Sequence, residues 1–291
     1  MAWGLVPANQ AIRFGRPDWF RVLNYTALTL GAFAMLFPLF WMINTSLKPL
    51  PDTQAYPPIW LPIPPRLENY TETLAVQPFG RYLLNSFIIA AAVVIGDLVS
   101  CSFAAYGFAR LRFPGRDFLF KLLVSTMMVP FIVRLVPLFL LFQQLKWINT
   151  YWPLIVPAYF GTPFFIFLMR QFFLTIPGEL TEAARIDGAN EIVIWSTIFL
   201  PLSRPALVVV AVMAFGASWN EFLAPLIFIN DKDKWTAAIG LAAMFQTTGI
   251  ATLQWNLLMA AATMTVVPTV VLFLLTQRYF IRGVAMTGIK G

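Results

Sequence analysis

Not one of the 291 residues is a histidine, only one is a cysteine, and just 11% are charged. Each shortage removes a class of chemistry. Without histidine there is no Ser–His or Cys–His pair, no HExxH zinc site and no histidine proton relay. The lone Cys101 lies in an apolar run, closes no intrachain disulfide and belongs to no CxxC or Cys/His metal pattern. No GxxxxGK[ST] phosphate loop occurs, so the chain has no Walker-type ATP site of its own. A soluble domain carries about 25% charged residues, more than twice the share here. Apolar surface is what the sequence has in quantity: 59% of its residues are hydrophobic, 28 are phenylalanine, and mean hydropathy is +0.74.

Long apolar stretches recur along the whole chain, which predicts an all-α polytopic membrane protein. Six spans are read at 22–43, 83–108, 118–142, 151–173, 205–229 and 255–279. Each has about the 20 residues a helix needs to cross a bilayer. Helices are forced, because an unpaired backbone group in lipid costs several kcal/mol. No soluble domain fits between the spans. The reading is one transmembrane domain over 1–291, with an N-terminal segment 1–21, a six-span core 22–279 and a tail 280–291. External segments fall near 47–82 and 230–254. Arg13, Arg16 and Arg21 precede an apolar run too long for the core of a cleavable signal. The net charge of +7 does not indicate nucleic acid, because the basic residues sit at span ends and not in one patch.

Lys and Arg also set the orientation. With the N-terminus inside, thirteen basic residues fall on cytoplasmic segments and six on external ones, while Arg134 lies within a span. That asymmetry predicts both termini in the cytoplasm. Trp41, Trp60, Trp147, Trp152, Trp235 and Trp255 then gather near the outer boundary, as interface anchors do. Between Lys48 and Gly80 the chain is rich in proline, which predicts an extended external excursion, either a spacer or a surface for an external partner.

On the cytoplasmic side, between spans four and five, lies a loop of roughly thirty residues, far longer than a connection needs. Pro177 suits a first helical turn, and Glu179 and Glu182 complement the helix dipole there. Gly188 is placed for a left-handed C-terminal cap, and Asn190 for capping a second helix that stops before Pro201. The prediction is a helix–turn–helix elbow at the membrane surface. From these residues alone, an ordinary ordered linker fits equally well.

The stretch "EAARIDGANEIVIWSTIFLPL" resembles the EAA loop of the membrane-spanning subunits of ATP-binding-cassette importers: Glu182, Ala183, Ala184, Gly188, Ile198, Leu200 and Pro201 carry the match. "NSFIIAAAVV", "AAYGFARLRFPGR", "WNEFLAPL" and the closing "GIKG" are similar to carbohydrate permeases of the maltose type, in particular the smaller, six-span partner of the heterodimer. The resemblance implies a permease subunit in a bacterial or archaeal cytoplasmic membrane. Its implied partners are a second permease subunit, a pair of ATPase subunits holding ATP and magnesium, and an external solute-binding protein. Glu182, Ala183, Ala184, Asp187, Gly188, Leu200 and Pro201 would then form the ATPase-coupling loop. The segment 230–254 would reach the binding protein, and the tail would touch the ATPases. No cofactor and no catalytic residue is implied for this chain.

Asp97, Arg134 and Glu221 are the ionisable residues placed within spans. Such groups usually face a bundle interior or water. A cation on a neighbouring helix is the expected partner of Asp97. Arg134 either lines the path or snorkels. Trp219, Asn220 and Glu221 are candidates for the translocation path or its gate, with close helix packing as the plainer alternative. Pro130 and Pro137 are expected to bend or break span three. A stand-alone secondary transporter is the rival reading. It calls for inverted repeats or an ion site, and neither is legible.

Overall fold

In the computed structural model, residues 18–247 and 254–287 are described. Expectations for Arg13, Arg16, residues 248–253 and Lys290 lie outside the described residues, as do the side chains from 278 onward. Helices α1 (Asp18–Ser46), α2 (Glu68–Val76), α3 (Phe79–Arg110), α4 (Arg116–Ser125), α5 (Phe131–Gln144) and α6 (Pro163–Leu174) form the first half. The second half holds α7 (Glu179–Ile186), α8 (Glu191–Leu202), α9 (Arg204–Trp219), α10 (Leu223–Phe228), α11 (Ala237–Thr247) and α12 (Trp255–Thr287). No strand occurs among the described residues.

Four helices are long and apolar enough to cross a membrane: Trp19–Ser46, Phe79–Arg110, Trp152–Leu174 and Trp255–Gln277. The count reaches six only if two bent pairs each make one span. This corrects spans three and five, which are not continuous helices. Between α4 and α5 the axis turns by 100° at Pro130. Proline has no N–H to continue the ladder and drives the residue before it out of the helical region; Val129 accordingly sits at φ −83°, ψ 110°. Pro137, by contrast, is carried inside α5 without a break. The fifth span ends at Trp219 and not near Ile229. There, the Asn220 amide donates to Gly216 O at 2.8 Å, and Glu221 Oε1 accepts from Leu223 N and Ala224 N at 3.0 and 3.1 Å. Short polar contacts end one helix and cap the next.

α3 is the central element, packed against α6 and α9. Its buried positions include the small residues Ala90, Gly96, Cys101, Ser102 and Ala105, which let neighbouring backbones approach closely. The main core runs from these residues through Phe165, Met169 and Val210 to Ile194 and Phe199 in α8. α1 stands apart, packed on α12 and exposed along most of its length.

The segment read from the sequence as an external excursion is less extended than expected. It holds a turn of helix at Leu50–Thr53 and then α2; its longest stretch free of helix is 54–67. Its base is a buried polar joint. Asn69 Nδ2 donates to Ser46 O and Lys48 O, both at 2.8 Å, and Asn69 Oδ1 accepts from Asn256 Nδ2 at 2.9 Å. The buried Lys48 ammonium sits 4.4 Å from the Trp41 ring centre, a cation–π contact.

Gly240 in α11 faces the buried Tyr82 ring so closely that an added Cβ would lie 2.3 Å from it. That ring is held between Phe79 and Trp235. Gly240→Val is therefore expected to destabilise the fold by about 1–3 kcal/mol, the usual cost of overpacking. A melting temperature of the purified protein equal to wild type would show that Tyr82 yields freely.

Candidate coupling elbow and membrane cavity

The elbow is built by two interlocking caps. α7 ends in a Schellman arrangement: Ala189 N–H donates to Ala184 O at 2.9 Å, and Gly188 N–H to Arg185 O at 3.1 Å. This turn puts Gly188 at φ +83°, a region glycine enters without penalty. Two residues on, Asn190 Oδ1 accepts from Val193 N at 2.9 Å and starts α8. The second helix does not stop before Pro201, as expected from the sequence. It widens into a π turn over Trp195–Phe199 and carries on through Pro201 to Leu202. Proline is tolerated there because it occupies the opening turn of the segment after the widening.

An ion pair braces the elbow, and a hydrogen bond and ring contacts fix it to the bundle. Arg185 Nε donates to Glu191 Oε1 at 2.9 Å, and the Tyr106 hydroxyl at the end of α3 donates to Glu191 Oε2. Hydrogen bonds from Arg185, then from Tyr106, hold the Glu191 carboxyl below the usual carboxylate range. A depressed carboxylate stabilises above its unfolded pKa, and that contribution is lost as pH falls through the folded value. The junction thus loosens only in acid. Arg110 donates from Nη2 to Phe173 O and Ile176 O, closing the C-terminal end of α6. Its guanidinium lies 5.0 Å from the Phe199 ring, which meets Tyr106 and Phe173 edge-on at 4.9 and 5.2 Å.

The sequence-predicted residues divide by exposure. Glu182, Ala183, Asp187, Gly188 and Pro201 are exposed, while Ala184 and Leu200 are half-buried. Beside them Ile186 is 86% exposed, with Ile192 and Leu180 also bare. Sequence reasoning passed over Ile186, Tyr106, Arg110 and Glu191. A basic residue closing an apolar helix, as Arg110 does, is the one local signal that was available. The Tyr106–Glu191 contact joins residues 85 apart and leaves none.

Higher in the bundle, a cavity of about 490 Å³ opens between α3, α5, α9, α10 and the stretch before α6. Ser86, Asp97, Arg134, Thr162, Ser218, Glu221 and Thr236 supply its polar lining. Asp97 is buried and accepts from Thr162 Oγ1 at 2.6 Å and from Cys101 Sγ at 3.7 Å. Among the described residues it forms no ion pair, so a hydroxyl and a thiol stand where a cation was expected. Arg134 is exposed, with its guanidinium 5.9 Å from the Phe131 ring. Buried Thr236 Oγ1 has no hydrogen-bond partner among the described residues. Trp219 and Asn220 do not line this space. The Trp219 indole is buried and donates to Thr265 O of α12 at 3.0 Å.

Residues 98–286 match the family described as binding-protein-dependent transport system inner membrane component. The chain is 36% identical over 269 residues to the probable ABC transporter permease protein YurM of Bacillus subtilis, covering 91% of this chain and 87% of that one. It is 37% identical over 270 residues to the sn-glycerol-3-phosphate transport system permease protein UgpE of Yersinia pestis, covering 90% and 95%. The fold is similar to a chain in the crystal structure of a bacterial ABC transporter involved in import of the acidic polysaccharide alginate. That likeness has a TM-score of 0.81 at 22% identity, covering 92% of this chain and 99% of that one.

Proposed function

Because this chain belongs to the family of binding-protein-dependent transport inner membrane components, as a permease subunit of an ABC importer, we propose that it imports a carbohydrate or a polyol derivative and is driven through its elbow. The sugar class draws on what the similar permeases are named for, glycerol phosphate in one case and alginate in another. Membership of an importer family sets aside the stand-alone secondary transporter. The chain forms half of a translocation path with a second permease subunit. ATP and magnesium sit on two partner ATPase subunits, and an external binding protein delivers the solute.

One observation carries the coupling reading. A loop outside the spans shows a large bare aliphatic side chain, Ile186, on a turn locked by two caps. With Leu180 and Ile192 also bare on the same elbow, it offers apolar surface that a partner would cover. Glu182 and Asp187 add polar contacts around it, and Ala183 lets another surface come close. The 490 Å³ cavity, with Arg134, Asp97 and Glu221 on its walls, suits a hydroxyl-rich solute.

Two measurements on one preparation test this. Affinity-tagged chain should bring down a second permease and an ATPase, and ATP hydrolysis should require that ATPase. Turnover by the rigorously purified chain alone would refute the division of labour. In a Cys101→Ala background, Asp52→Cys and Asp233→Cys should react with an impermeant thiol reagent on intact spheroplasts. Asp187→Cys should react only after permeabilisation. Labelling at position 187 in sealed cells would reverse the proposed orientation.

A further inference from the structure

The thirteen residues 53–65, TQAYPPIWLPIPP, carry no charge, although Asp52 and Arg66 bound them. The structure closes this run into a loop beside the outer end of α1. Arg66 N–H donates to Leu47 O at 2.8 Å, and Asn44 Nδ2 donates to Trp60 O at 2.8 Å. The closed loop is oily on its outside: Ile63 is 85% exposed, and Trp60 and Leu61 are bare as well. Contiguous exposed apolar groups of this kind mark a contact surface.

The height of the loop says which surface. Arg21 and Trp41 are twenty residues apart on α1. At 1.5 Å per residue that is about 30 Å, the thickness of the hydrocarbon core. With Arg21 at one boundary, Trp41 stands at the other. The Trp60 ring lies 5.7 Å from Trp41 and 6.5 Å from Phe37, one helical turn deeper. The loop therefore folds back to the bilayer boundary. It continues the bare flank of α1 below Phe37, where Phe33 is 70% exposed. Five of its thirteen residues are proline and have no N–H to leave unpaired in a poorly hydrated layer. Tryptophan suits that layer, where an amphipathic ring is solvated at both ends.

We propose that the loop 53–65 is a membrane-interface anchor, seating Trp60, Leu61 and Ile63 in the headgroup–acyl boundary of the outer leaflet. With the buried joint at Ser46 and Lys48 it fixes the outer end of α1, whose remaining length is exposed. The charged residues flanking the run stay in water.

Spin labelling of the assembled importer in lipid nanodiscs tests this, with native cysteines removed. Single labels go at Ile63→Cys, at Met35→Cys as the lipid reference and at Glu68→Cys as the water reference. Power saturation compares accessibility to oxygen with accessibility to a water-soluble nickel chelate. The oxygen-to-nickel ratio at position 63 should exceed that at 68 severalfold and approach that at 35. Adding the external binding protein should leave it unchanged. A ratio like that at position 68 places the loop in water and overturns the proposal. Low accessibility to both reagents places it against a protein, the second permease if constant or the binding protein if it appears on addition. Either result also overturns the proposal.

Discussion

Gly188→Val is expected to insert into the membrane normally and to lose most coupled uptake. The reason is confined to the backbone. A Cβ at position 188 meets nothing within 4 Å, so no clash enters, but φ is +83°. A side chain in the left-handed region costs about 1–2 kcal/mol, and a β-branched one more. Taking about 2 kcal/mol as the bias against the capped turn, ATPase docking weakens roughly thirtyfold. Asparagine tolerates left-handed geometry, so Gly188→Asn should retain most activity. Transport by the reconstituted importer and co-purification of the ATPase give the readout. Wild-type transport by the valine variant would reduce the elbow to an ordinary linker. Equal failure of valine and asparagine would point to a contact at Gly188 in place of its geometry.

Arg110→Ala is expected to have the larger effect on stability. Arg110 satisfies two main-chain carbonyls, Phe173 O and Ile176 O, at the end of α6 and covers the Phe199 ring. Hydrogen bonds from a charged donor are worth about 1.5–3 kcal/mol each. Loss of both should therefore cost at least about 3 kcal/mol and lower the melting temperature by several degrees. The same cut uncovers Phe199 and loosens, without releasing, the seat of the elbow on the bundle, so ATP hydrolysis should continue while uptake per ATP falls. Arg110→Lys should recover only part of this. A lysine is a point charge and cannot both bridge two carbonyls and stack on a ring. Unchanged melting and unchanged uptake per ATP in the alanine variant would remove Arg110 from the junction.

What the sequence made legible follows from how local each signal is. The spans of α1, α3 and α12 announce themselves through long uncharged runs. The elbow does so through glycine and asparagine at capping positions. The break at Pro130 is local too, because proline acts on its own residue and the one before. The end of α9 was not legible. Trp219-Asn220-Glu221 sits in an apolar run, and nothing in its composition says that Asn220 and Glu221 will turn back on the main chain. Asp97 was misread for a related reason: its partner Thr162 comes from a turn 65 residues away. The Tyr106–Glu191–Arg185 junction likewise exists only once α3 and the elbow are packed.

The early end of α9 bears on what the subunit can be by itself. Sixteen residues of helix reach only about 24 Å, short of the hydrocarbon thickness. With Arg204 at the inner boundary, the main chain leaves helical geometry over 220–222 while still at membrane depth. Irregular backbone is tolerated there only where protein buries it or water fills the space beside it. The chamber bordered by Glu221 is therefore expected to hold water, and among the described residues no element closes its open flank. On the proposed pairing with a second permease subunit, half a vessel is folded here, and lipid cannot serve as the missing half.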